Sequence, residues 1–72
     1  MAPNSPLLKF RNAAFRAESA LFDARTESLY ALIASGDNRP KVEALRKRII
    51  KAQEETDKIR CALDKLLDSQ AE

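Results

Sequence analysis

Residues 42–66 read VEALRKRIIKAQEETDKIRCALDKL, and apolar residues recur in them at alternating steps of three and four. This spacing is a heptad repeat, which keeps one apolar stripe on one side of a helix and turns that stripe toward another helix. The a positions of the repeat are Val42, Ile49, Thr56 and Leu63. The d positions are Leu45, Ala52, Ile59 and Leu66. The sequence therefore predicts a long helix whose a and d positions form an apolar seam that packs against another helix.

The first half of the chain also predicts one long helix. Ser5 can cap a helix N-terminus, and Pro6 suits the first helical position, where a missing N–H costs nothing. No proline or glycine follows until Gly36, which can adopt the left-handed conformation that ends a helix. We therefore expect a first helix at about residues 6–35, preceded by a short disordered lead over residues 1–4.

A short turn separates this helix from the second one. Asp37 or Asn38 can cap a new helix, and Pro40 fits within its first turn. The sequence thus predicts a turn at residues 36–39 and a second helix at about residues 40–69. Two helices of similar length joined by a short loop favour an antiparallel hairpin.

The predicted fold class is all-α, with a single antiparallel, coiled-coil-like two-helix hairpin over residues 1–72. A domain below roughly 70–80 residues rarely gains more than about 3–5 kcal/mol from its core. The chain has one cysteine and no histidine, so it lacks an internal disulfide and the usual ligands of a structural zinc site. We expect no cofactor. We expect stabilisation by self-association into a dimer or four-helix bundle, or by another helical protein.

Helix 1 has a wider apolar surface than a single seam requires, because three apolar ridges run along it. The first ridge is Leu8, Phe15, Phe22 and Leu29. The other two are Leu7, Ala14, Leu21 and Leu32, and Phe10, Ala17, Ala24 and Ala31. Helix 2 can cover only part of this surface. The expected association surface therefore joins the helix 2 seam to the larger residues Leu8, Phe15, Leu21, Phe22, Leu29 and Leu32.

Two features of the helix interface are less regular. Ala52 and Thr56 make the middle of the seam thin, and an aromatic residue such as Phe15 or Phe22 could fill that space. A charged row of Arg11, Glu18 and Arg25 runs inside the apolar arc of helix 1. Such a row either lies along the edge of the groove with its charges in water, or acts as a register key that meets charges on a partner.

Charge is unevenly distributed along helix 2. Between positions 39 and 51, six basic residues stand against one acid, a balance of +5, and these basic residues are Arg39, Lys41, Arg46, Lys47, Arg48 and Lys51. From position 52 onward, six acids stand against three basic residues, a balance of −3. A basic stretch can bind anions such as nucleic acid, but no aromatic residue interleaves it for base stacking. The alternative is a solvated helix face or a face that meets an acidic protein.

Catalysis and membrane insertion are not indicated. Without histidine, Cys61 lacks a catalytic base, and we interpret it as a reduced surface thiol. The single glycine excludes a glycine-rich phosphate loop. No run of about 18 apolar residues exists, and the N-terminal residues do not resemble a secretory signal. We therefore expect a cytoplasmic protein that is not an enzyme.

The segment LYALIASGD, residues 29–37, followed by the repeat over residues 42–66, resembles the small co-chaperones of type III secretion needle subunits. The resemblance covers about half of the chain. It implies a helical hairpin that docks on a tetratricopeptide-like chaperone, so that the pair holds an aggregation-prone needle subunit in the cytoplasm.

Three hypotheses about function follow from the sequence. The first is a protein-interaction module, an adaptor or co-chaperone that binds another helix through its heptad seam. The second is a small nucleic-acid-associated regulator that uses the basic stretch at residues 39–51. A third hypothesis is a component of a larger assembly.

Overall fold

A computed structural model of the chain describes residues 5–70 and shows an all-α hairpin. Helix α1 spans Pro6–Ala34, a short 3₁₀ turn spans Gly36–Asn38, and helix α2 spans Arg39–Gln70. No strand occurs in the described part of the chain. The molecule measures 55 × 16 × 12 Å. The predicted all-α two-helix hairpin is confirmed, and the lead predicted over residues 1–4 lies outside the described residues.

The ends of α1 form as the sequence predicts. The side-chain oxygen of Ser5 accepts a hydrogen bond from the backbone N–H of Leu8 at 3.1 Å, and Pro6 occupies the first turn. At the other end, the Ser35 hydroxyl donates to the carbonyl oxygen of Leu32 at 2.8 Å. Gly36 then has a φ of 54°, in the left-handed region that favours glycine.

The turn reverses the chain within a few residues. The N–H of Asn38 donates to the carbonyl oxygen of Ser35 at 3.0 Å. Helix α2 begins at Arg39, one residue earlier than predicted, with Pro40 in its first turn. The fixed φ of proline is compatible with that position.

The two helices contact each other along rows of partly buried residues at alternating steps of four and three. On α1 these residues are Leu7, Arg11, Ala14, Glu18, Leu21, Arg25, Ser28 and Leu32. On α2 they are Val42, Arg46, Ile49, Gln53, Thr56, Arg60, Leu63 and Leu67. The a positions of the heptad therefore face α1, together with the positions four residues after them. The d positions do not take part in this contact and lie at the surface.

Each helix contributes two rows to the contact. The apolar row, as we name it, consists of Leu7, Ala14, Leu21 and Ser28 on α1 with Val42, Ile49, Thr56 and Leu63 on α2. The polar row consists of Arg11, Glu18, Arg25 and Leu32 on α1 with Arg46, Gln53, Arg60 and Leu67 on α2. Among the described residues, only Ala14 and Leu63 are buried, at 8% and 5% exposure. The hairpin alone thus has a very small core.

Candidate functional site

Three side-chain pairs in the polar row or at its border with Asp64 join α1 to α2. The Arg11 Nε donates to Asp64 Oδ1 at 2.7 Å, and the Arg60 Nε donates to Glu18 Oε2 at 2.7 Å. The third pair is formed by Arg25, whose Nη1 donates to Gln53 Oε1 at 2.9 Å. Paired groups at regular intervals define how the helices are rotated and which residues lie level with one another.

Arg60 is the centre of this network. It also donates to Asp64 Oδ2 at 2.8 Å and to Asp57 Oδ1 at 3.1 Å, both on its own helix. Its hydrogen bonds to Glu18 and then to Asp57 raise the pKa of the Arg60 guanidinium above its already high value. The hydrogen bond from Arg11 lowers the pKa of Asp64 below its ordinary value of 3.8. These groups remain partly exposed, so water and salt weaken their attraction.

The charged row of α1 therefore finds its partners within the same chain. The row lies at the edge of the helix contact with its charges partly exposed, as in the first of the two alternatives left by the sequence. The charges that it meets belong to α2, so the alternative of a register key that meets charges on a partner stays a prediction. Sequence analysis missed the α2 half of the pairing. The available signal was the recurrence of Arg46, Gln53 and Arg60 every seven residues, in step with the charged row of α1.

On one side of this contact lies a surface that we call the alanine face. It comprises the rows three residues after the apolar row, which share a side because the helices are antiparallel. Its members are Phe10, Ala17, Ala24 and Ala31 on α1 with Leu45, Ala52, Ile59 and Leu66 on α2. From the register of the polar row, Phe10 lies level with Leu66, and Ala31 lies level with Leu45. The four predicted d positions are thus the α2 half of this face.

The opposite side, which we call the aromatic face, is chemically different. It comprises Leu8, Phe15, Phe22 and Leu29 on α1 with Glu43, Ile50, Asp57 and Asp64 on α2. The Arg11 guanidinium carbon lies 5.3 Å from the centre of the Phe15 ring, a cation–π distance. Phe15 and Phe22 are exposed and lie on this outer face, so neither fills the thin middle of the seam. The polar row and its carboxylates border this face.

The predicted association residues are therefore divided among four places. Val42, Ile49, Leu63 and Leu21 pack in the apolar row, and Leu32 packs in the polar row. The remaining α2 residues, Leu45, Ala52, Ile59 and Leu66, lie on the alanine face. The remaining α1 residues, Leu8, Phe15, Phe22 and Leu29, lie on the aromatic face. Ile50 and Leu67, which lie off the heptad seam, are partly buried.

The basic stretch does not form one stripe. Arg39 and Arg46 continue the polar row, Lys41 and Arg48 border the alanine face, Lys47 lies toward the aromatic face and Lys51 points away from α1. All except Arg46 are exposed. The Nε of Arg46 is buried without a hydrogen-bond partner. A phosphate backbone contacting one side of α2 would meet only some of these side chains.

Two further observations concern the described residues. No helix within residues 5–70 is long and apolar enough to cross a membrane. The same residues contain no cluster of three or more histidine, cysteine or acidic side chains placed to hold a metal ion. Comparison with family models, curated proteins and solved structures gave no match to this chain.

Proposed function

We propose that the hairpin is a non-enzymatic protein-interaction module, an adaptor or co-chaperone that binds another helical protein or a second copy of itself. The observation that supports this function is the imbalance between core and surface. Among the described residues two are buried, whereas nine large apolar side chains are exposed. These nine are Phe10, Phe15, Phe22, Leu29, Tyr30, Ile33, Leu45, Ile59 and Leu66.

Energetics favour a partner for this surface. Burying a large apolar side chain contributes about 1.5–3 kcal/mol, whereas a domain of this size gains about 3–5 kcal/mol from its own core. Covering Phe10, Leu45, Ile59 and Leu66 would therefore contribute as much as the whole hairpin contact. A reducing compartment such as the cytoplasm suits the exposed free thiol of Cys61.

The alternative function is nucleic-acid binding by the basic stretch. In its favour, Arg39, Lys41, Lys47, Arg48 and Lys51 are all exposed near the turn. Against it, these side chains project in several directions around α2, so few of them can contact one phosphate backbone at the same time.

A salt titration separates the two functions. Binding to a fluorescent duplex DNA of random sequence would be followed by anisotropy from low to physiological salt. The interaction module predicts no binding at physiological salt. Retained binding, with a steep salt dependence that becomes shallower in Arg48→Ala, would overturn the proposal in favour of nucleic-acid binding.

A further inference from the structure

The alanine face has an uncharged centre and charged edges. None of its eight members is charged, and four of them are alanine, so a facing helix can approach its middle closely. The next row outward on α1 consists of Ala13, Ala20, Glu27 and Ala34. The next row outward on α2 consists of Lys41, Arg48, Glu55 and Ala62. All eight of these rim residues are exposed, so they are available to a partner.

The rim charges match one another when two copies of the hairpin stack with their turns at the same end. In that arrangement a twofold axis runs parallel to the helices, and α1 of each copy lies over α2 of the other. From the register of the polar row, Glu27 then lies level with Arg48 of the second copy. Lys41 of the second copy lies level with Ala34, and Glu55 of the second copy lies level with Ala20. No like charges meet along either rim.

The alternative stacking, with turns at opposite ends, lacks this match. Each helix would then lie antiparallel over its own copy, so that Leu45 exchanges places with Leu66. The twofold axis then crosses α2 halfway between positions 45 and 66, beside position 55. Glu55 of one copy therefore lies opposite Glu55 of the second copy. Two carboxylates directly opposite each other repel. Glu27 and Arg48 have no mutual contact in this arrangement.

The aromatic face is a poorer surface for a second copy. Glu43, Asp57 and Asp64 lie within it. Covering this face would take Glu43 out of water together with the ion pairs that Asp57 and Asp64 form with Arg60 and Arg11, which is costly. The alanine face carries no such cost. Its residues extend over about 32 Å of helix at 1.5 Å per residue. With a hairpin 16 Å wide, the alanine face offers about 500 Å² per copy, or about 1,000 Å² for both, the lower bound for a specific interface.

We propose that the alanine face binds a second copy of this chain, in a four-helix dimer with both turns at one end and with Glu27 paired to Arg48 across each rim. This inference rests on the proposed function and names the partner. The modest area indicates a dimer that dissociates on dilution rather than an obligate one. Two symmetry-related ion pairs form in each dimer, so any change at the rim acts twice.

Charge reversal tests the proposal. Sedimentation equilibrium would compare the native chain with Glu27→Arg, with Arg48→Glu and with the double variant. Each single reversal puts two like-charged contacts into the dimer, and we expect its dissociation constant to rise about tenfold. The double variant restores opposite charges and should return close to the native value. Single variants that dimerise like the native chain, or a double variant as weak as the singles, would overturn the proposal.

Disulfide trapping tests the arrangement directly. In a Cys61→Ser background, Glu27→Cys with Arg48→Cys should give a covalent dimer under mild oxidation, because these positions project from opposite edges of one hairpin and meet only between copies. Ala20→Cys in the same background should remain uncrosslinked. A covalent dimer from Ala20→Cys alone would instead show the stacking with turns at opposite ends, and would overturn our assignment.

The outcomes also separate this inference from the proposed function. A folded chain that remains a monomer at every concentration and does not bind DNA would refute the second copy as partner. It would leave the interaction module with a different helical protein. Retained DNA binding at physiological salt would refute the proposed function itself. Circular dichroism of each variant establishes that the exposed substitutions at Glu27 and Arg48 leave the helices intact.

Discussion

The alanine face and the aromatic face are built from the same two helices but differ in the kind of interaction that lies beside them. The side toward the aromatic face contains the polar row, where Arg60 holds acids from both helices in fixed places. The side toward the alanine face contains the apolar row and no charge at its centre. Ion pairs are directional but weak in water, whereas apolar area is strong but non-directional. The polar side therefore contains the groups that pair the two helices, and the apolar side is the one on which we propose association.

The largest effect is expected from a charge within the apolar row. Leu63→Asp would place an unpaired carboxylate at the most buried position of the hairpin, at a cost of about 3–5 kcal/mol. This equals the whole stability of a domain of this size. We expect the helical signal in circular dichroism to fall to that of a largely unfolded chain. A variant that keeps its helicity would show that the apolar row does not hold the hairpin together.

Leu66→Asp is the matched control, three residues further along the same helix. Leu66 is 53% exposed on the alanine face, so the isolated hairpin should tolerate the change. The expected loss concerns association. The melting temperature of the native chain should rise with protein concentration, whereas that of Leu66→Asp should not. Ile33→Asp, at 71% exposure on the other side of the molecule, should keep the concentration dependence.

The difference between Leu63 and Leu66 also shows how far the sequence could be used. The heptad repeat that contains both residues predicts a helix with an apolar seam. The helix-breaking residues Gly36 and Pro40 predict the position of the turn to within one residue. The heptad pattern treats a and d positions alike. The structure separates them: the a positions pack against α1 beside the polar row, in which Arg60 pairs with Glu18, whereas the d positions are exposed. A heptad repeat of apolar residues does not show which polar side chains pair between the helices, and the recurrence of Arg46, Gln53 and Arg60 every seven residues was the available sign of that pairing.

A smaller effect is expected from the polar row. Arg60→Ala removes the cation that bridges Glu18, Asp57 and Asp64, and leaves three carboxylates close together. The melting temperature should fall less than in Leu63→Asp, because these groups remain accessible to water. Arg60→Lys should recover only part of the loss, since an ammonium cannot reproduce the fork of a guanidinium. Both differences should shrink in high salt. A loss that is unaffected by salt would indicate that packing of the Arg60 stem, not its charge, stabilises the hairpin.

The smallest effect is expected from Asp64 and depends on pH. The hydrogen bond from Arg11 lowers the pKa of Asp64 below its ordinary value of 3.8, so the folded state binds this proton less readily than the unfolded state. The resulting stabilisation is fully present above the ordinary value and is lost as pH falls through the lowered pKa. At neutral pH, Asp64→Asn should therefore melt below the native chain, and the gap between the two should close as pH falls below about 4. Melting curves from pH 7 to pH 2 measure this gap. A gap that stays constant over the whole range would mean that the Arg11 to Asp64 pair contributes through its hydrogen bond alone. In that case the register defined by the polar row would not depend on charge at this position.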